Sequence, residues 1–243
     1  MRVRYQLDGP ASEPVIALPS SLGTTAELWN ENVPYWSDRF CVLTYEQSGR
    51  RTIADLGRDF LDLLDELGLE RVSYCGLSLG GATGMWLAVN APERVDRLIL
   101  ACTSARFGDP RQWLERAALV RDQGLEPIGD AIVGRWFTPA ERPEVVARFR
   151  EQLVATPREV YAACCEALAA WDLRDELTAI RAPTLVIAGA HDPVVSAEDA
   201  EQIARAVGAQ TAVLENAAHL ANVEQPEAFS RLVAQHLAPV EVA

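Results

Sequence analysis

The chain has 243 residues, 49% of them hydrophobic and 23% charged, which is enough for one large α/β domain with a substantial core. Its net charge of −13, from 22 basic and 35 acidic residues, argues against nucleic acid as a partner, because nothing would offset phosphate repulsion; a single arginine in a closed pocket would still admit a small anion. No segment approaches the ~18 uninterrupted apolar residues of a membrane span, and the stretch from Met1 to Gly9 has no apolar core of the kind a secretory signal needs.

Apolar runs and helical patterns alternate along the chain. Arg2 to Leu7 alternates in polarity, as an exposed antiparallel edge strand does. Val15 to Leu18, Phe40 to Leu43, Val72 to Cys75, Leu98 to Ala101 and Thr184 to Ala188 are near-continuous apolar runs, and Ala212 to Leu214 is a shorter one. Such runs suit strands covered on both faces in a parallel sheet. Thr52 to Leu67 places Ile53, Leu56, Phe60, Leu63, Leu64 and Leu67 on one helical face, with Thr52 and Asp55 resembling a capping box and Gly68 as a stop. Gln225 to Leu237 repeats this design with Phe229, Leu232, Val233 and Leu237 inward. The alternation predicts a doubly wound, mostly parallel α/β sheet.

Residues 106–175 break the alternation with helical patterns and no convincing strand. Extra helices packed on the sheet would explain this. A helical lid explains it better, since an insertion after a strand's C-terminal end falls where open α/β sheets bind ligands. The predicted organisation is therefore a core of residues 1–105 and 176–243 with a helical cap of 106–175. Cysteines stand at 41, 75, 102, 164 and 165, an odd number without zinc-ligand spacing, and read as buried reduced thiols in a cytoplasmic protein.

The most informative motif is Gly76-Leu77-Ser78-Leu79-Gly80. It follows the strand-like Arg71 to Cys75 and precedes Gly81 to Ala88, which reads as a helix. Strand, tight turn and helix in this order form the nucleophile elbow of an α/β-hydrolase, and the flanking glycines let the backbone pass closely. A serine hydroxyl needs a base, and the base needs an orienting acid. Among three histidines, His219 lies on a loop after the last strand, and Asp192 lies just after the strand ending at Ala188. Ser78, Asp192 and His219 thus follow the chain order of this fold. Asp192 also reads as a turn residue before Pro193, and both roles are compatible. His191 lacks an obvious orienting acid, and His236 sits within the final helix. For the oxyanion, the expected donors are the N–H of Leu79 and that of Ser21, in the loop after the Val15 to Leu18 strand. A simple polar turn is the alternative for Ser21.

Several stretches together resemble the 3-oxoadipate enol-lactone hydrolases of the β-ketoadipate pathway. They are Ser20 to Thr25, Cys75 to Gly81, Asn90 to Val95, Arg135-Trp136-Phe137-Thr138-Pro139, Tyr161 to Cys165 and Asp172 to Asp175. The resemblance covers nearly the whole chain. It implies hydrolysis of a small carboxylate-bearing enol lactone, with no metal or other cofactor. Such a substrate needs a cation in the pocket; Arg135 is the candidate, with Trp136 against the ring, although a surface arginine beside a core tryptophan fits the same residues. The chain departs from the family after Tyr45: Glu46 to Arg51 is a shortened loop without the usual Arg-Gly-His-Gly. That loop is expected to border the pocket mouth. Alternatives to the enol-lactonase are an esterase or lactonase of other small substrates, a related lyase or perhydrolase using the same triad, and a non-hydrolytic ligand-binding relative.

Overall fold

The computed structural model of the chain describes residues 3–238. One sheet contains β1 (Tyr5–Asp8), β2 (Val15–Pro19), β3 (Cys41–Tyr45), β4 (Val72–Leu77), β5 (Val95–Ala101), β6 (Thr184–Gly189) and β7 (Gln210–Leu214). Their spatial order is β1-β3-β2-β4-β5-β6-β7, with β1 antiparallel to β3 and the other pairings parallel. Arg2, where the alternating pattern places the start of the edge strand, lies outside the described residues; the strand begins at Tyr5. The helices are α1 (Val33–Trp36), α2 (Ile53–Leu67), α3 (Leu79–Asn90), α4 (Pro110–Gln123), α5 (Gly129–Val133), α6 (Pro143–Ala155), α7 (Arg158–Ala169), α8 (Ala197–Val207), α9 (Ala221–Glu224) and α10 (Pro226–Leu237).

The central strands are apolar throughout because both faces are covered. Their two-residue period divides the core. Ile16, Leu18, Cys75, Leu77 and Ile99 join the cluster that holds Phe229 and Val233 of α10. Ala17, Tyr74, Leu98 and Leu100 join the one that holds Phe60 of α2 and Met85 of α3. Complete burial of a side chain such as Phe60 contributes about 1.5–3 kcal/mol. β7 is more open, with Val213 exposed, because it closes one edge of the sheet.

Helix ends follow local chemistry with one difference from expectation. Thr52 Oγ1 accepts the Asp55 N–H (3.1 Å), but the Asp55 carboxylate accepts from the Thr52 hydroxyl and from Arg58 instead of the Thr52 N–H. Half of the capping box is therefore formed there. The reciprocal box belongs to α8, between Ser196 and Asp199. Gly68, at φ 68°, ends α2.

Between β5 and β6 the described residues form helices and no strand. Phe149, Leu153, Tyr161 and Cys165 of α6 and α7 bury against the same cluster as α10. The chain passes from β2 outward to β3, then returns to β4 on the other side of β2. This reversal opens a crevice beyond the C-terminal ends of β2 and β4, where ligands of open α/β sheets bind. Ser20 and Ser21 follow β2, and Ser78 follows β4.

Candidate active site

Ser78 has φ 55° and ψ −114°, a backbone conformation costing about 1–3 kcal/mol in a non-glycine residue. Its surroundings hold it there. Ser78 N–H donates to Ala101 O (2.9 Å), and Ser78 O accepts from Ala82 N–H (3.0 Å) and the Thr103 hydroxyl (2.7 Å). A Cβ on Gly76 would lie 2.3 Å from Gly80 O, so the incoming strand and outgoing helix approach closely, as the motif requires. A Cβ on Gly80 would instead meet the Pro19 ring at the end of β2. Leu79 opens α3, whose first N–H groups have no partner inside the helix and no side-chain cap.

The structure brings Asp192 and His219 together. His219 Nδ1 lies 2.8 Å from Asp192 Oδ2, and their side chains are 5% and 1% exposed. A carboxylate oxygen accepts, so Nδ1–H is the donor in this contact, and in the neutral ring Nε2 is then an acceptor. Asp192 Oδ1 accepts from the N–H groups of Val194 (2.7 Å) and Val195 (3.1 Å), so the turn and the contact to His219 are both present. Ser78 and His219 line one cavity of about 440 Å³, although their side chains are not hydrogen-bonded to each other. Catalytic hydrogen bonds are often long or unformed without substrate. This arrangement can activate a hydroxyl for acyl transfer.

The other histidines are elsewhere. His191 is exposed in a neighbouring pocket with Glu141 and Asn216. His236 is half-buried with Nε2 3.1 Å from Pro183 O, at the opposite end of the sheet, and burial lowers its pKa.

Ser21 reaches the cavity wall, but its N–H is not free as expected. It donates to Thr24 Oγ1 (2.8 Å), while Thr24 N–H and hydroxyl both donate to Ser21 O. The turn and the cavity position coexist. Ser20 beside it is pinned by N–H donation to Tyr45 O (2.7 Å) and by accepting the Gln47 N–H (2.9 Å).

Arg135 and Trp136 both line the cavity. Arg135 is exposed and donates from Nη2 to Pro193 O (2.8 Å), and Trp136 is buried. The shortened loop overturns one expectation, because none of residues 46–51 lines this cavity. Instead the loop is fastened to α2 and α7: Arg50 makes two bonds to Asp59 (2.8 and 2.7 Å), Arg51 pairs with Glu166, and Cys164 Sγ approaches Ser48 O.

Several contributors were not assigned to the site from the sequence. Trp113 and Arg116 of α4 and Tyr161 of α7 complete the cavity. Glu224 links Thr138 to the His219 loop: Oε1 accepts the Thr138 N–H and hydroxyl (2.7 and 2.6 Å), and Oε2 accepts the Ala218 N–H (2.6 Å). All five cysteines are unpaired and buried, and burial pushes the Cys164 and Cys165 thiols up to about 12, so they remain protonated. Among the described residues no group of three or more His, Cys, Asp or Glu side chains could hold a metal ion, and no helix is long and apolar enough to cross a membrane.

Comparison with known proteins identifies the family. The family model described as the alpha/beta hydrolase fold matches residues 13–226. The chain is 39% identical to 3-oxoadipate enol-lactonase 2 of Acinetobacter baylyi, over 95% of this chain and 91% of that protein. A crystal structure of the enol-lactonase from Burkholderia xenovorans superposes with a TM-score of 0.93 at 37% identity, covering 97% of this chain and 96% of that one. A hydrolase from Pseudomonas aeruginosa gives a TM-score of 0.93 at 42% identity, covering 98% and 94%. With a serine on a strained strand-to-helix turn and a buried Asp-His pair sharing its crevice, the chain belongs to the 3-oxoadipate enol-lactonase family of α/β hydrolases.

Proposed function

We propose that the protein opens 3-oxoadipate enol-lactone, a small lactone with a free carboxylate, to give 3-oxoadipate. The observation that carries this reading is one mostly apolar chamber lined by Ser78, His219 and two arginines, in a chain whose relatives include named enol-lactonases. Ser78 Oγ attacks the lactone carbonyl as His219 Nε2 takes its proton, and Asp192 stabilises the imidazolium. The Leu79 N–H receives the developing oxyanion. The Ser21 N–H joins it by exchanging its bond to Thr24. The ring C–O bond then breaks. The departing enolate receives the proton from His219 as an enol and becomes a ketone. A water deprotonated by His219 attacks the acyl-Ser78 ester. Collapse breaks the acyl–Ser78 bond, returns the proton from His219 to Ser78 and releases the second carboxylic acid, which loses its proton to solvent.

Residues 106–175 act as a lid on the core of 1–105 and 176–243, since α4, α5 and α7 supply much of the chamber wall. Trp136 supplies an apolar wall for the ring, and Arg116 and Arg135 make the chamber electropositive, as an anionic substrate requires. The protonated, buried thiols suit a cytoplasmic setting.

Following loss of the enol-lactone absorbance with wild type and Ser78→Ala tests the proposal. Wild type should consume the lactone, and the variant should lose at least ~10³-fold in rate. Turnover of simple esters without the enol lactone would reject the substrate and retain the hydrolase. Undiminished activity of Ser78→Ala would reject the mechanism.

A further inference from the structure

Two guanidinium groups line the chamber, and neither is paired with a carboxylate among the described residues. Their surroundings differ. Arg135 is exposed and already commits Nη2 to Pro193 O, the carbonyl immediately after Asp192. Arg116 is half-buried and makes no hydrogen bond to a carboxylate or main-chain carbonyl among the described residues. Its Cζ lies 4.8 Å from the centroid of Trp113, three residues earlier on the same face of α4. Trp113 is itself fixed: Nε1 donates to Phe107 O (2.8 Å), and its ring meets Phe107 edge-on. The buried hydroxyl of Tyr161 on α7 is close enough to Arg116 for that charge to offset part of the pKa rise caused by burial. Glu115 also lines the chamber but forms no ion pair with Arg116.

Resting on the reading of the site as one for anionic lactones, we infer that Arg116, held over Trp113 and beside Tyr161, recognises the substrate carboxylate, whereas Arg135 is a positioning residue that fastens the Asp192 turn. A planar guanidinium stacked on an aromatic ring is preorganised to present two donors to a carboxylate. Half-burial keeps that charge less screened than one at the surface. Arg135 already gives one of its five N–H donors to the turn that carries the acid, and its exposed charge is more screened by solvent.

The test uses two esters with one leaving group, neutral 4-nitrophenyl acetate and anionic mono-4-nitrophenyl succinate, with wild type, Arg116→Gln, Arg116→Lys and Arg135→Gln. Arg116→Gln should lower kcat/KM for the succinate by about 10- to 150-fold more than for the acetate, mainly through KM. Arg116→Lys should retain part of the preference, because it keeps the charge and loses the two-donor geometry. Arg135→Gln should lower kcat equally for both esters. Equal losses on both esters in Arg116→Gln, or a succinate-specific loss in Arg135→Gln, would overturn the inference. Titrating adipate into wild type and Arg116→Gln gives a readout independent of turnover; unchanged affinity would count against Arg116. If wild type spared the enol lactone yet kept an Arg116-dependent preference for the succinate, the proposed substrate would fail and this inference would stand.

Discussion

Gly189 offers a test of how tightly the site depends on a backbone approach far from the nucleophile. It is the last residue of β6, three positions before Asp192, and a Cβ there would lie 2.1 Å from Ala218 O and 2.7 Å from Ala217 O. Both obstacles are main-chain carbonyls directly before His219, so no side-chain rotation relieves them. Restoring an ordinary carbon-oxygen contact of about 3.3 Å requires the loop or strand end to move by about 1.2 Å. A displacement of that size at a catalytic base costs about 10²-fold in rate. The strain should cost about 1–3 kcal/mol, equivalent to a Tm loss of roughly 2–12 °C for a chain of this size. Gly189→Ala would be assayed by initial rates on 4-nitrophenyl acetate and by thermal unfolding followed by circular dichroism. Activity and Tm both close to wild type would refute the reasoning, because the close approach of β6 to the His219 loop could then not be a constraint.

Other perturbations separate orientation from architecture. Asp192→Asn should preserve the turn, because an amide oxygen can still accept from Val194 and Val195, while presenting an NH₂ to His219 Nδ1 and favouring the wrong tautomer. A kcat loss of about 10³- to 10⁴-fold with little change in Tm is expected, and a loss under tenfold would remove Asp192 from its role. Glu224→Gln replaces one acceptor by a donor against three N–H or O–H donors. It should lower stability by about 1–3 kcal/mol and slow turnover as the His219 loop loosens; a wild-type melting curve would exclude the linkage. At Asp59, burial favours the neutral acid, but bonds from Arg50 and Ser48 and the Arg50 charge outweigh it and hold the carboxyl below its usual range. Its contribution is therefore present above about pH 4 and lost as pH falls through the lowered folded value. Asp59→Asn should reduce Tm by about 2–4 °C at neutral pH, a modest effect because Arg50 is 41% exposed, and converge on wild type in acid. Parallel curves across that range would refute the assignment.

The sequence by itself determined the layered α/β architecture, because buried parallel strands must be apolar on both faces and amphipathic helices must repeat every three to four residues. It also exposed the elbow, since Gly76 and Ser78 meet a local backbone demand, and it selected His219 and Asp192 through their positions after strand ends. Short-range rules served less well where a residue had competing partners: Asp55 turned to Thr52 Oγ1 and Arg58, and Ser21 N–H closed onto Thr24. Only the tertiary structure decided that Arg116 shares a chamber with Arg135, that residues 46–51 are fastened to α7 away from that chamber, and that Glu224 joins Thr138 to Ala218. These contacts link residues far apart in the chain, and nothing in local spacing encodes which face of one helix will meet which loop. They arise when the helices between β5 and β6 pack onto the sheet.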